Sequence, residues 1–259
     1  MKDQIPSALI MEDDADWDVM LKSQLIEFAH GTRFLQDASG KATDSPYGDD
    51  WDLLWLGHCG TRNRENEDQK YYVIKDDPTV VPQHLRGYPR RQPNLTPSQF
   101  SGNHTRVVYE PVRGLCMFGY ALSLRGAQRL LYHQSMKGHA AVSDRALQRI
   151  CNDRFMGFKC LAPYPTLIGT HKAAGMTAKD SDREDTTKSN GGFRDVAVTG
   201  QIVYSTRLNL DILMGDQKLV KSQWPQDTKL PEIDPSIPLP RGRGFFVTAD
   251  QYKEFERPN

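Results

Sequence analysis

The stretch Ser7-Ala-Leu-Ile-Met-Glu-Asp-Asp14 joins a short apolar run directly to three adjacent carboxylates. Continuous apolar character of this kind is typical of a strand that is buried on both faces of a sheet. In open α/β sheets, ligands bind beyond the carboxyl ends of the strands, which is where Glu12, Asp13 and Asp14 lie. The stretch therefore predicts an α/β fold with a candidate binding site just after its first strand.

Strand-like and helix-like segments alternate on either side of this point. A helix is predicted next, with Leu21, Leu25 and Phe28 on one face and Gly31 as its end. Further strands are expected at 51–56, 71–74, 106–109 and 158–161. Further helices are expected after caps at Ser123, Ser143 and Thr248, and between Val203 and Met214. This alternation indicates an α/β sheet with packed helices.

Two of these helices have predicted core residues. The helix after Ser123 is expected to bury Ala127, Leu130 and Leu131, with Gly126 allowing close packing. The helix after Ser143 is expected to bury Ala146, Leu147 and Ile150.

Composition and charge exclude some classes of function. Lys plus Arg and Asp plus Glu both number 33, so the net charge is zero. This balance argues against a general nucleic-acid binder and against electrostatic adhesion to anionic membranes. No stretch approaches the ~20 apolar residues of a membrane span, and no apolar leader follows Met1.

Cysteines and glycosylation sequons bear on the compartment. The four cysteines form no CxxC pair, which argues against a zinc site, and their even number permits two disulfides. Asn94-Leu-Thr96 and Asn103-His-Thr105 are glycosylation sequons. These features favour a secretory lumen, whereas the missing leader favours the opposite.

The acidic cluster has a functional and a structural interpretation. Adjacent carboxylates repel one another, and a divalent cation would remove that repulsion and bridge to a diphosphate. The alternative is a solvated acidic loop that stabilises the start of the next helix. Asp16 and Asp18 are interpreted as charges at the start of that helix.

Several segments together resemble glycosyltransferase family 25, most closely its fungal members. The family includes bacterial lipooligosaccharide transferases and collagen galactosyltransferases. The resembling segments are Ala8-Leu-Ile-Met-Glu-Asp-Asp14, Trp51-Asp-Leu-Leu-Trp-Leu-Gly57, Gly119-Tyr-Ala-Leu-Ser-Leu-Arg-Gly-Ala-Gln-Arg-Leu-Leu131, Asp144 with Leu147, and Pro163-Tyr-Pro-Thr-Leu-Ile-Gly-Thr-His171 running on to Asp182. Each segment is modestly specific, and their order and spacing are more so.

The resemblance implies a GT-A-type transferase of a hexose, galactose by analogy, from a UDP-sugar to a hydroxyl on a glycan or glycoprotein acceptor. Glu12, Asp13 and Asp14 would bind the donor diphosphate, and Asp13, Asp14 and His171 would hold the metal, Mn²⁺ by analogy. The resemblance implies localisation in the secretory pathway, in the Golgi or ER lumen. For His171 a solvated loop residue remains the alternative.

Other residues receive weaker roles. Asp144 would be catalytic, near the acceptor hydroxyl or the donor sugar, with a helix-start charge as the alternative. His58, at a strand end, and Tyr120 are expected to contact the donor. Asp182 is the weakest candidate. The alternative to an enzyme is a non-catalytic metal- or glycan-binding relic of the same fold.

The resemblance covers residues 7–185, so we expect a partial catalytic region at 1–185 with a polar surface insertion at about 60–105. Residues 186–259 would be a C-terminal extension with a proline-rich linker and short helices. Only eleven residues precede Glu12, too few for the ~30-residue unit that would bind the nucleotide base. We favour truncation, with a degenerate paralogue or a partner that supplies the missing half as alternatives.

Two further expectations follow if the fold is that of the family. A shortened sheet would leave an exposed edge strand at 8–11. Cys59 would end one strand and Cys116 would begin the next resembling segment, while Cys151 and Cys160 flank a helix-to-strand turn. Among the three possible connectivities we therefore expect Cys59–Cys116 and Cys151–Cys160.

Overall fold

The computed structural model describes residues 5–65, 67–87, 92–95, 100, 102–136, 143–180, 192–227 and 229–255. Thr96 of the first sequon and Asp182 lie outside these residues. The strands are Ser7–Met11 (β1), Ala15–Trp17 (β2), Leu53–Gly57 (β3), Gly60–Asn63 (β4), Gln69–Ile74 (β5), Arg106–Tyr109 (β6), Pro111–Leu115 (β7), Gly119–Ser123 (β8), Cys160–Tyr164 (β9), Ile168–Lys172 (β10), Gly175–Met176 (β11), Phe193–Arg194 (β12), Val198–Thr199 (β13) and Arg243–Val247 (β14). The helices are Leu21–Leu35 (α1), Leu124–Met136 (α2), Ser143–Asp153 (α3), Leu210–Met214 (α4) and Ala249–Phe255 (α5).

The main sheet is mixed and has seven strands in the described part of the chain, in the order β1-β8-β3-β9-β6-β5-β14. Only β3 and β9 run parallel, and the other neighbours are antiparallel. One face packs against α1 through Phe28, Leu54 and Val108. The other packs against α3 through Trp55 and Leu147. The predicted α/β class is thus confirmed as a sheet with helices on both faces.

The first strand lies at the edge of this sheet. β1 pairs with β8 alone among the described strands, with Leu9 opposite Ala121. Leu9 is 54% exposed, so the prediction of a strand buried on both faces is wrong. The prediction of an exposed edge strand is confirmed. The apolar pattern did not reveal this, because a run of apolar residues carries no information about how many neighbours the strand finds.

Helix α1 continues past its predicted end. Gly31 lies inside the helix and is buried, and a Cβ there would come within 2.9 Å of Val108 Cγ2 and 3.0 Å of Tyr72 Cδ1. The glycine therefore brings the helix close to β5 and β6. The prediction that Gly31 ends the helix is wrong. Glycine is favoured both at helix ends and where two backbones pack closely, so the residue type alone does not distinguish the two roles.

Helices α2 and α3 test the predicted caps and core faces. Ser123 Oγ accepts a hydrogen bond from Gly126 N at 3.0 Å, as predicted for a cap. Leu131 is 53% exposed, so its predicted burial is wrong, and His133 is buried on α2 instead. The predicted buried face of α3 is confirmed in full by the positions of Ala146, Leu147 and Ile150.

Two segments expected to be peripheral contribute to the main sheet. Within the predicted surface insertion, β5 lies between β6 and β14, and Tyr71 is fully buried. Within the predicted C-terminal extension, β14 pairs antiparallel with β5. The predicted helix from Val203 is shorter and begins at Leu210 as α4, since Val203 lies in buried, non-helical chain. The capping pattern at Thr248 is confirmed by Thr248 N donating to Gln251 Oε1 at 3.0 Å.

Both predicted disulfides are present. Cys59 pairs with Cys116 and Cys151 with Cys160, with Cα separations of 5.4 and 5.7 Å.

In the described residues, no helix is long and apolar enough to cross a membrane.

Candidate functional site

Three of the residues predicted to bind metal or donor come together in one cavity. Asp13, Asp14 and His171 line a space of about 410 Å³ at the end of β10. The pairing of β10 with β2 produces this arrangement, because Thr170 lies opposite Ala15 and His171 N then donates to Asp14 O at 2.7 Å. Residues distant in sequence thereby become neighbours across two antiparallel strands.

Glu12 has a different position from the two aspartates that follow it. Its side chain is not among those lining the cavity. Its backbone N–H donates to Phe118 O at 3.1 Å, which ties the end of β1 to the chain before β8. Of the three predicted acids, Asp13 and Asp14 therefore line the cavity, whereas Glu12 joins the end of β1 to the chain before β8 through its backbone.

Basic side chains also line the cavity. Lys172 Nζ donates to Asp14 Oδ2 and to Asp180 O, both at 2.8 Å. Arg207 Nη2 donates to Asp13 O at 2.8 Å. The cavity thus presents acids and bases side by side, an arrangement that suits a ligand carrying both a cation and phosphate oxygens.

Asp16 anchors the wall behind this cavity. It lies in β2 and is fully buried, so the prediction of a helix-start charge is wrong for it. Its carboxylate accepts hydrogen bonds from Thr199 Oγ1 at 2.6 Å, from Ser205 Oγ and from Arg207 N at 3.3 Å. A buried carboxylate needs such donors, and here they fix the chain segment that carries Arg207.

Asp18 lies just before α1 and is also buried. It accepts hydrogen bonds from Met20 N at 3.0 Å and from Tyr204 N at 3.1 Å. Burial raises its pKa to about 7, although the two backbone hydrogen bonds act in the opposite direction. Asp18 precedes the first turn of α1, which has no acidic residue, so its predicted role as a charge in that turn is wrong. Its bond to Tyr204 ties the start of the helix to the chain after β13.

The hydrogen bonds around His171 define its tautomer. Thr199 Oγ1 donates its hydrogen to Asp16, so it acts as acceptor toward His171 Nδ1 at 3.2 Å. Nδ1 therefore carries the proton and Nε2 has a free lone pair. Burial lowers the pKa of His171, with the Asp16 charge acting in the opposite direction, so the neutral ring is favoured. A neutral imidazole with a fixed tautomer is suited to bind a metal ion.

Replacing Thr199 by Val is expected to remove the preference of His171 for the Nδ1–H tautomer while preserving side-chain volume. With the hydroxyl gone, Nδ1–H loses its acceptor, so the Nε2–H form becomes a major species. Nitrogen chemical shifts of His171 in ¹⁵N-labelled protein measure the ratio. Thr199→Ser retains the hydroxyl and is the matched control. An unchanged ratio in Thr199→Val would contradict the assigned chain of hydrogen bonds.

Three other predicted residues lie away from this cavity. Asp144 accepts hydrogen bonds from Cys116 N at 3.2 Å and Arg145 N at 2.7 Å, so it serves the start of α3. Tyr120 lines a separate space of about 420 Å³. His58 is fully buried, its Nε2 lies 2.8 Å from Pro163 O, and burial lowers its pKa to about 4.

Local patterns carry little sign of the remaining site residues. Lys172 follows His171 directly and was available as a signal for a positive charge at the same strand end. Thr199 stands in a polar segment typical of a loop, and Arg207 stands in the segment between Val203 and Met214 for which a helix was predicted. Their participation comes from the pairing of β13 with β10 and from the bonds to Asp16.

The donor atoms suit a cation that arrives with a diphosphate. Among the described residues, no three His, Cys, Asp or Glu side chains form a group that could hold a metal by themselves. One oxygen of Asp14 is bound by Lys172 and Asp13 Oδ1 accepts from Asp14 N at 3.1 Å, which leaves Asp13 Oδ2, the other Asp14 oxygen and His171 Nε2. Cations bound with nucleotides use one or two carboxylates together with the phosphate oxygens, and the residues present fit that mode.

Comparisons with protein-family models, with curated proteins and with solved structures found no match. The functional interpretation therefore depends on the geometry of the cavity and on the resemblance of the sequence segments.

Proposed function

We propose that this chain is a metal-dependent, GT-A-type glycosyltransferase that moves a hexose from a UDP-sugar to a hydroxyl of a glycan or protein. The observation that supports the proposal most is the meeting of Asp13, Asp14 and His171 in one cavity with Lys172 and Arg207. The first three form the ligand set that the family resemblance implies. The two basic residues add the charge that a diphosphate requires.

Each side chain has a defined task in this proposal. Asp13, Asp14 and His171 Nε2 would hold the divalent ion, which supplies neutralisation of the charge on the leaving diphosphate. Lys172 and Arg207 add two positive charges beside the phosphate oxygens, fixed in place before the reaction by their bonds to Asp14 and Asp13. Asp144 lies outside this cavity and takes no part in binding the diphosphate.

The main test is Asp14→Asn in a titration with Mn²⁺ and UDP-galactose. Mn²⁺ and donor together are expected to raise the Tm of the wild type, by an amount equivalent to about 2.7 kcal/mol at 100 times Kd. Asp14→Asn is expected to remove this response and to lower UDP release about 100-fold or more, because the metal ion that would neutralise the leaving diphosphate loses a carboxylate ligand. Thermal unfolding and a UDP-release assay provide the two readouts.

Asp37→Asn is the matched control, because Asp37 also forms an ion pair with a lysine, Lys70, at 2.5 Å but lies outside the cavity. It should leave both readouts unchanged. No response of the wild type to Mn²⁺ would remove the metal assignment. Binding of donor without any UDP release would instead identify the chain as a non-catalytic binding relic of the fold.

A further inference from the structure

The cavity lined by Asp13, Asp14 and His171 is called the donor cavity below. A second cavity adjoins it along the β10–β13 pair. It has a volume of about 270 Å³, and Val198 and Thr199 form part of its wall. Their cross-strand partners, Lys172 and His171, line the donor cavity. A ligand in the second cavity would therefore be separated from the donor cavity only by two paired strands.

The lining of the second cavity differs in chemistry from that of the first. It contains two aromatic rings, Phe118 and Trp224, two amides, Gln201 and Gln223, and several hydroxyl and backbone groups. None of the described residues that line it is charged. Aromatic surface combined with a few placed amides and hydroxyls suits a neutral ligand with an apolar face and a polar rim.

The polar groups of the wall divide into fixed and available ones. Gln223 is fixed, because its Oε1 accepts from Thr199 N at 3.1 Å and its Nε2 donates to Thr199 O at 2.7 Å. Gln201 uses only Nε2, which donates to His58 O at 3.3 Å. Within the described residues, Gln201 Oε1 and Thr170 Oγ1 have no protein partner, so both are available to a ligand's hydroxyls.

The backbone at Gln201 is a further sign of a binding site. Its φ is 64°, in the left-handed region that favours glycine. A non-glycine residue there stores strain, which is common where a side chain must be presented to a ligand. Trp224 is half-buried and packs against a core cluster that includes Val203 and Tyr204, so its ring is held in place.

We infer that this cavity binds a neutral hexopyranose, whose apolar face stacks on Trp224 while its hydroxyls bond to Gln201 and Thr170. The inference rests on the proposed function, in which it identifies the acceptor as a neutral sugar. Transfer needs the reacting atoms within about 3–3.5 Å of each other, so across the shared β10–β13 wall this sugar would be a unit of the acceptor next to the one that receives the hexose.

Trp224→Ala and Gln201→Gly test the assignment by direct binding. The probes are the methyl β-glycosides of galactose and glucose and methyl α-mannoside, with methyl β-glucuronide as the charged comparator. Titration calorimetry is expected to show that the wild type binds at least one neutral glycoside and binds the glucuronide more weakly. Each variant is expected to raise the Kd about tenfold.

The controls distinguish a lost contact from a lost fold. Glycine adopts the φ of residue 201 without strain, so Gln201→Gly removes the amide alone. Trp224→Phe retains an aromatic ring and should have an intermediate affinity. Phe246→Ala truncates an exposed aromatic residue outside the cavity and should leave the Kd unchanged.

Two results would overturn the assignment: no neutral glycoside binds the wild type, or folded Trp224→Ala and Gln201→Gly bind it as the wild type does. The proposed function fails separately. Glycoside binding without any response to Mn²⁺ and UDP-sugar would support the sugar cavity and reject the transferase. Donor-dependent UDP release with an acceptor KM unchanged in both variants would support the transferase and reject the sugar cavity.

Discussion

Replacing Asp77 by Ala is expected to lower the free energy of unfolding by about 3–5 kcal/mol. Asp77 Oδ2 accepts a hydrogen bond from Arg106 Nε at 2.8 Å, and the two side chains are 0% and 3% exposed. Without the carboxylate, the guanidinium remains buried with no counter-charge, and water cannot reach it without disrupting the core. Asp77 Oδ1 also accepts from Thr79 N at 2.9 Å, and that bond is lost too.

The Asp77–Arg106 ion pair also stabilises the chain segment that leads to the cavity lined by Asp13, Asp14 and His171. Arg106 Nη1 donates to Pro165 O at 2.6 Å and to Thr166 O at 3.1 Å, in the connection between β9 and β10. β10 carries His171 at the cavity, so displacement of this connection is expected to reduce the proposed binding of Mn²⁺ and UDP-sugar in Asp77→Ala as well.

Urea denaturation of Asp77→Ala measures the loss of stability, and Asp37→Asn is its control, because asparagine tolerates the left-handed backbone of residue 37. Asp37 also forms an ion pair, but it is 77% exposed, so loss of its charge should leave the free energy of unfolding nearly unchanged. In the double variant with Arg106→Met, the cost should fall below the sum of the two single variants, because no buried charge is left alone. A loss under about 1 kcal/mol in Asp77→Ala would contradict the role of the pair.

Replacing Gly126 by Ala is expected to cost about 3 kcal/mol or more. A Cβ on Gly126 would lie 2.1 Å from Asp52 O and 2.7 Å from Asp52 C, both backbone atoms next to β3. Backbone of a packed sheet cannot move aside, so α2 must lift from the sheet. Two bonds then weaken, those from Arg125 Nε at 2.9 Å and Arg129 Nη1 at 2.8 Å to the fully buried carboxylate of Asp52.

Gly87→Ala is the matched control for this substitution. A Cβ at Gly87 would meet nothing within 4 Å, so the change should remain within about 0.5 kcal/mol. Thermal and urea unfolding of the two variants, measured side by side, separate the steric effect from the general effect of replacing glycine. Equal stabilities of Gly126→Ala and the wild type would show that α2 does not pack as closely as the structure has it.

Local patterns account for the elements that were predicted well. The strand 106–109 was predicted with its observed bounds, because a short run of β-branched and aromatic residues favours a strand whatever surrounds it. The buried face of α3 was also predicted, because Ala146, Leu147 and Ile150 recur at helical spacing. The position of β5 inside the main sheet, between β6 and β14, was not predicted, since pairing with β14 joins segments far apart in sequence.

The candidate site divides in the same way. Asp13 and Asp14 could be identified because they follow an apolar strand, and His171 because it ends the Pro163-to-His171 segment that resembles the family. Lys172 and Arg207 were not predicted, because their charges reach the cavity through strand pairing and through bonds to Asp16. The second cavity was not predicted either, since its aromatic and amide residues come from separate segments.

The sequence by itself determined the α/β class, most of the helices, the five strands β1, β3, β5, β6 and β9, and two acids and a histidine at strand ends. It also determined both disulfide pairs once the resemblance was recognised. These depend on periodicity and on residue type, which are local. Only the tertiary structure decided that β1 lies at an exposed edge, that Asp16 is a buried anchor, and that Asp144 and His58 lie apart from the cavity. Those outcomes depend on the order and register in which strands pair, and many registers can satisfy the same local pattern.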